Sequence, residues 1–152
     1  MTKTFSVSFL ALSLVIAPQA LAGDLRVQNH CSFAIWCAGA KNDGTAEASH
    51  QIGSGGSYTS SKPANNDNIG AVLKCGTDSR LAHPYQMEMA VQNGVSYLDL
   101  SAIDGDPFLS YHRHAEIPGT SCVLDCLAGS TDCEWPRLVT CKGQDDATLF
   151  LC

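Results

Sequence analysis

The chain has 152 residues, a formal net charge of −6 and eight cysteines. With nine Lys and Arg against fifteen Asp and Glu, it lacks the basic surface that nucleic acid or an anionic membrane would need. We therefore expect neither of these as a partner, and the length suits a single domain.

The N-terminal residues 1–22 predict a secretory signal peptide. Lys3 gives a positive start, residues 5–16 are almost continuously apolar, and the Ala-Leu-Ala sequence at 20–22 has the form of a cleavage site. The apolar run is shorter than the about 20 residues that span a membrane. We therefore expect a secreted, extracellular monomer with one domain at 23–152 and a charge of −7, because cleavage removes one lysine and no acidic residue.

Short alternating apolar runs follow, separated by stretches rich in Gly, Asn, Ser and Pro. This pattern predicts an all-β protein, an antiparallel sandwich or barrel. The runs contain Leu25 and Val27, Phe33 and Ile35, Met87, Met89 and Val91, and Leu98 and Leu100.

All eight cysteines lie in the predicted mature chain. An even number in a small secreted protein predicts a disulfide framework rather than metal thiolates, and spacing alone does not choose among the many pairings. The cysteines are Cys31, Cys37, Cys75, Cys122, Cys126, Cys133, Cys141 and Cys152.

The strongest local prediction is a β-hairpin around Asn93-Gly94, the dipeptide that favours a type I′ turn. With these two residues as the loop, the register gives one apolar face and places Glu88 directly opposite Asp99. Like charges at opposed positions are destabilising, so their presence indicates a candidate site. Paired carboxylates suit a sugar-binding cleft, a cation site or an acid/base pair, and the alternative is a solvated surface relieved by a Lys or Arg.

Two further groups have candidate chemistry. His112 and His114 point to one side of a strand and are weak candidates for copper or zinc, but no third ligand is evident, which favours solvated histidines. The "GSGGS" loop at 53–57 lacks the strained elbow of a nucleophilic serine. Of the two tryptophans, we expect Trp36 in the core and Trp135 exposed, where it can stack on a sugar.

Four stretches in order resemble a thaumatin-like protein of the small fungal secreted branch, the Blastomyces yeast-phase-specific family. They are "LRVQNHCSFAIWCAG", "QIGSGGSYTSS", "YLDLSAIDGDPF" and the C-terminal part from "CVLDCLAGSTDCEWP" to "DATLFLC". The resemblance covers residues 24–152. It implies a disulfide-stapled β-sandwich without most of the extra cysteine-rich domain of larger members. It also implies the disulfides Cys31–Cys152, Cys37–Cys75, Cys122–Cys141 and Cys126–Cys133.

Larger thaumatin-like proteins have a cleft built from one Arg, one Glu and three Asp. Asp99 matches the strand aspartate and Asp104 the turn aspartate. Glu88 is the best match for the glutamate, with Gln86 competing for that position. The resemblance therefore implies a ligand-binding acidic patch of Glu88, Asp99 and Asp104.

The remaining cleft positions differ from the family pattern. Glu134 is the substitute for the third aspartate, Lys74 is the nearest basic residue, and Asp106 has no assigned ligand role.

The resemblance implies a secreted, non-enzymatic binding protein of the cell wall or host interface, with β-glucan-type carbohydrate binding and a role as effector or antigen in virulence. The partner would be a cell-wall glucan or a host apoplastic or surface protein, and no cofactor is expected. One alternative is a weak endo-β-1,3-glucanase using Glu88 and Asp99. Another is an effector that binds a host protein or protease.

Overall fold

The computed structural model describes residues 22–152, so the predicted signal peptide lies outside the described residues except for Ala22. The described chain is built from strands and loops, and the all-β prediction is confirmed. No helix in this part of the chain is long and apolar enough to cross a membrane.

The strands are β1 (Ala22–Gly23), β2 (Leu25–Asn29), β3 (Ile35–Lys41), β4 (His50–Ile52), β5 (Ser57–Thr59), β6 (Ala64–Asn65), β7 (Ala71–Gly76), β8 (Tyr85–Gln92), β9 (Val95–Ser101), β10 (Arg113–Glu116), β11 (Val123–Cys126), β12 (Leu138–Lys142) and β13 (Ala147–Leu151).

Two large sheets form a β-sandwich. The six-stranded sheet has the order β12-β9-β8-β7-β3-β4 and the five-stranded sheet the order β11-β10-β13-β2-β5, while β1 and β6 form a small separate pair. Pairing is antiparallel, as predicted, except between β2 and β13, which run parallel.

One apolar core draws side chains from both large sheets. Alternate residues of each strand face it, since successive side chains of a strand point to opposite faces. In β2 the buried residues are Leu25, Val27 and Asn29, and in β9 the same alternation buries Ser96, Leu98 and Leu100. The intervening residues of each strand lie on the outer faces of the sandwich, where binding residues are accessible.

Four disulfides tie the sandwich together, in the pairing that the resemblance implies. Because β2 and β13 are parallel, the residues that follow them meet at one edge, and Cys31 and Cys152 lie there with Cα atoms 4.8 Å apart. The other bonds join β3 to β7, the segment before β11 to β12, and β11 to the loop that follows it. They are Cys37–Cys75, Cys122–Cys141 and Cys126–Cys133.

Candidate functional site

The β8–β9 hairpin has the predicted register. Asn93 and Gly94 both have positive φ, 52° and 74°, as a type I′ turn requires. Glu88 is therefore the direct cross-strand partner of Asp99, and the hairpin prediction is confirmed. Both carboxylates lie on the outer face of the six-stranded sheet, because their neighbours in the two strands fill the core.

The structure brings the three residues of the predicted acidic patch together at this face. Asp104 accepts hydrogen bonds from Lys74 Nζ at 3.3 Å and from Gln86 Nε2 at 3.1 Å. Gln86 is 4% exposed, so its amide positions Asp104, and Glu88 rather than Gln86 faces Asp99. Lys74, the basic residue expected nearest the cleft, does lie at the patch.

Glu88 and Asp99 differ from Asp104 in having no direct partner. Neither carboxylate accepts a hydrogen bond or forms an ion pair with residues 22–152. Burial and the neighbouring Glu88 raise the pKa of Asp99 to about 7. Burial and Asp104 also raise the pKa of Glu88, against the opposing pull of Lys74. At neutral pH Asp99 is therefore protonated for part of the time, and the pair has both donor and acceptor capacity.

Two depressions flank the carboxylate pair. One, with a volume of about 320 Å³, extends from the pair across β7 and β8 and includes Lys74 and Tyr97 in its wall. The other, of about 220 Å³, lies on the far side between the pair, Ile103 and Trp135. The carboxylates thus lie at the centre of a shallow groove rather than on a flat surface.

Exposed apolar side chains lie in and near the wall of the second depression, beside the two carboxylates. The exposed fractions are 80% for Ile103 and 61% for Trp135, and Leu138, on β12 opposite Asp99, is also exposed. The exposure predicted for Trp135 is confirmed. The sequence analysis did not single out Ile103 or Leu138. Ile103 follows the acidic strand and Leu138 lies opposite it, and neither belongs to an alternating apolar run, which was the available signal.

Trp36 is not in the core, contrary to the prediction. Its neighbours Ile35 and Cys37 are fully buried, so strand alternation directs the indole to the outer face of the sheet, where it is partly exposed. Proximity to a cysteine was a misleading signal, since the adjacent residue in a strand points the other way.

Glu134 does not join the acidic patch. It is buried and accepts a hydrogen bond from Arg113 at 2.8 Å, and Asp106 lies 3.2 Å from the same guanidinium. The Tyr85 ring packs 5.4 Å from that group. We refer to these four residues as the arginine cluster. It forms because Arg113 lies between His112 and His114, whose side chains face outward. Strand alternation therefore directs the Arg113 side chain inward.

The arginine cluster supports the turn that leads out of the acidic strand. The guanidinium also donates to the carbonyl oxygens of Leu109, Tyr111 and Ser130 and is fully buried. Burial raises the pKa of Asp106 to about 6, against the opposing Arg113. Asp106 is therefore part of a structural cluster around Arg113.

The two predicted histidines lie on one side of the five-stranded sheet, with Asp125 between them. Sequence reasoning missed Asp125 because its position depends on the pairing of β10 with β11. This group, His112, His114 and Asp125, is called the histidine cluster below, and its donor atoms are close enough together to hold a metal ion.

Comparison with known proteins gives one family match and a shared fold. A family described as Blastomyces yeast-phase-specific protein matches residues 12–152, and no curated protein matches the chain. The protein elicitor MoHrip2 from Magnaporthe oryzae superposes with a TM-score of 0.75 at 16% identity, covering 86% of this chain and 99% of that one. The thaumatin-like xylanase inhibitor TLXI gives a TM-score of 0.59 at 14% identity, covering 84% and 98%. At these identities the structures show a common thaumatin-like fold and no more.

Proposed function

The chain belongs to the Blastomyces yeast-phase-specific protein family, and we propose that it is a secreted, non-enzymatic protein that binds a β-glucan-type polysaccharide at the cell wall or host interface. Secretion is supported by the signal-peptide pattern and by the four disulfides. The observation that carries the binding proposal is the Glu88–Asp99 pair, which no counter-charge within residues 22–152 contacts and which lies beside the exposed Trp135.

The chemistry of the pair suits a hydroxyl-rich ligand. A carboxylate only accepts hydrogen bonds, whereas a protonated carboxyl also donates one. Because the raised pKa of Asp99 keeps its carboxyl partly protonated at neutral pH, the groove offers both functions to sugar hydroxyls, which themselves donate and accept. Trp135 adds an exposed aromatic face beside them.

The charge of the protein favours a neutral polysaccharide over an acidic one. The predicted mature chain has a net charge of −7, and within residues 22–152 no arginine contacts the two carboxylates of the groove. An anionic polymer would be repelled there, whereas a neutral glucan has no charge for the carboxylates to repel.

The test is a pull-down on insoluble β-1,3-glucan. Wild-type protein is expected in the pellet. The variants Glu88→Gln, Asp99→Asn and Trp135→Ala should each lower the affinity for glucan about tenfold or more and leave the protein in the supernatant. Each removes a contact worth more than about 1.4 kcal/mol. Asp125→Asn is the matched control, because it removes one carboxylate from the outer face of the other sheet. Binding that survives all three substitutions would remove the acidic patch from the ligand site.

A glycoside hydrolase is the second candidate, and the raised pKa of Asp99 favours it. A general acid that stays protonated near neutral pH beside a second carboxylate is the arrangement of a glycosidase. Directly opposed strand residues have Cβ atoms about 4.5–5.5 Å apart, and retaining enzymes place their carboxyl groups about 5–5.5 Å apart. The binding proposal predicts no release of reducing sugar from soluble β-1,3-glucan. Release that both Glu88→Gln and Asp99→Asn abolish would favour the enzyme instead.

A protein partner is the third candidate. An elicitor and a xylanase inhibitor have the same fold, so recognition of a host protein or protease is the function that a negative glucan test would favour.

A further inference from the structure

The outer face of the five-stranded sheet holds a second group of converging side chains, away from the acidic patch. His112 precedes β10 and His114 lies within it, so strand alternation puts both imidazoles on this face. Asp125 of β11 is the cross-strand partner of His114. Its Oδ1 atom lies 2.6 Å from His112 Nε2 and 3.0 Å from His114 Nδ1.

The three donor atoms have nearly the spacing of metal ligands. All lie within 4.8 Å of one another. A tetrahedral zinc ion with bonds of about 2.0–2.2 Å places neighbouring ligand atoms about 3.3 Å apart. The side chains of His112 and Asp125 are half exposed, so small rotations about their χ angles would open the group around an ion.

A fourth residue supports the same interpretation. His114 uses Nδ1 toward Asp125, and its other nitrogen, Nε2, lies 3.4 Å from Glu116 Oε2. Histidines that bind metal usually donate their second ring N–H to a carboxylate, which orients the ring and increases its basicity. Hydrogen bonding among three surface residues alone would not need this outer carboxylate.

The cluster also borders open space. A depression of about 520 Å³ lies over it, with His30 and Phe150 in the wall. The Phe150 ring packs 5.5 Å from His114 and limits the orientations of that imidazole. A bound ion would therefore keep at least one coordination position open to water or to an external ligand.

We propose that His112, His114 and Asp125 bind one divalent transition-metal ion of the zinc type, with Glu116 as a positioning residue. Two imidazole nitrogens and one carboxylate oxygen form a ligand set that suits Zn²⁺ and Cu²⁺, whereas Mg²⁺ and Ca²⁺ prefer oxygen alone. The site lies on the opposite sheet from the acidic patch and is independent of glucan binding.

The experiment is calorimetric titration of the untagged, chelator-treated protein with ZnCl₂. One ion per chain is expected. His112→Ala and Asp125→Asn should weaken binding at least about 100-fold, and Glu116→Gln about tenfold, the range that loss of an outer carboxylate produces. MgCl₂ and CaCl₂ should give no comparable heat. His50→Ala and Asp99→Asn are the matched controls, since they remove an exposed imidazole and an acidic-patch carboxylate, and both should leave zinc affinity unchanged.

Three results would overturn the proposal. The first is the absence of saturable zinc binding by the wild type. The second is affinity that survives His112→Ala and Asp125→Asn. The third is an equal loss in Asp99→Asn, which would put the ion at the acidic patch. Circular dichroism of each variant verifies that the fold is intact, and the half-exposed position of His112 makes unfolding of its alanine variant unexpected.

Discussion

One turn supplies a carboxylate to the acidic patch and another to the arginine cluster, and the two carboxylates have different surroundings. Asp104 and Asp106 are two residues apart, with Gly105 between them at a φ of 149°. A Cβ at Gly105 would lie 2.7 Å from the carbonyl oxygen of His83, so the chain can pass there only as glycine. The turn sends Asp104 to the outer face and Asp106 to the buried guanidinium of Arg113.

The difference lies in what each carboxylate contacts. In the arginine cluster, one buried cation lies within 3.2 Å of two carboxylates and joins three loop carbonyls to them. In the acidic patch, the cation in contact among residues 22–152 is the partly exposed Lys74, and it reaches Asp104 rather than the Glu88–Asp99 pair. Carboxylates of the first kind support the fold, and those of the second kind are available to a ligand at some cost in stability.

The largest expected effect comes from removing the cation of the arginine cluster. Arg113→Ala should lower the free energy of unfolding by about 3–5 kcal/mol, because it leaves Asp106 and Glu134 buried without their partner. Urea denaturation measures the change. Arg80→Ala, at a side chain that is 88% exposed, is the control and should change stability by less than about 0.5 kcal/mol. A loss below about 1 kcal/mol for Arg113→Ala would show that the cluster does not hold the turn.

A change of opposite sign is expected in the acidic patch. The pKa of Asp99 is raised from 3.8 to about 7, so the folded state binds more protons than the unfolded state between these values, and stability falls as the pH rises through them. Asp99→Asn removes this penalty. The rise corresponds to about 4 kcal/mol for a fully buried group, and partial solvent access reduces it to about 1–2 kcal/mol.

The pH dependence of stability shows whether the raised pKa of Asp99 is the cause of this gain. Asp99→Asn should be more stable than wild type at pH 8, and the advantage should disappear at about pH 3, below the ordinary value of 3.8, where the wild-type carboxyl is mostly protonated in both states. Thermal unfolding at both pH values measures it. An Asp99→Asn variant that is less stable at pH 8 would mean that the carboxylate has a stabilising contact.

The smallest effect is expected from the surface cation. Lys74→Ala should cost less than about 1 kcal/mol, since the Lys74–Asp104 pair is exposed to solvent. It should, however, raise the pKa of Glu88 further, because Lys74 opposes the rise that burial causes. Carbon-detected NMR titration of the Glu88 carboxyl measures the shift. An unchanged pKa would show that Lys74 does not act on the pair.

Local sequence signals predicted part of the acidic patch and part of the histidine cluster. The Asn93-Gly94 dipeptide is enough to define the hairpin register, and the register alone opposes Glu88 and Asp99. Strand alternation likewise predicted that His112 and His114 share a face.

The other residues of these clusters could not be placed without knowing which distant strands and loops meet. Glu134, the substitute at the position of the third cleft aspartate, contacts Arg113 instead, and spacing between cysteines does not show which way a loop residue points. Asp125 joins the histidines only through the β10–β11 pairing, whose connection, residues 117–122, is longer than a two-residue hairpin loop and does not define the register. Arg113 had a usable signal, since an arginine between two outward-facing histidines must point inward and requires a buried carboxylate.

The central claim is that the Glu88–Asp99 pair is the ligand site, and NMR titration with a soluble β-1,3-gluco-oligosaccharide tests it most directly. We expect saturable shifts of the Glu88 and Asp99 carboxyl carbons and of the Trp135 indole N–H, with Asp106 and Glu134 unchanged because they are held by Arg113. Saturable shifts elsewhere that leave Glu88, Asp99 and Trp135 unmoved would contradict the account.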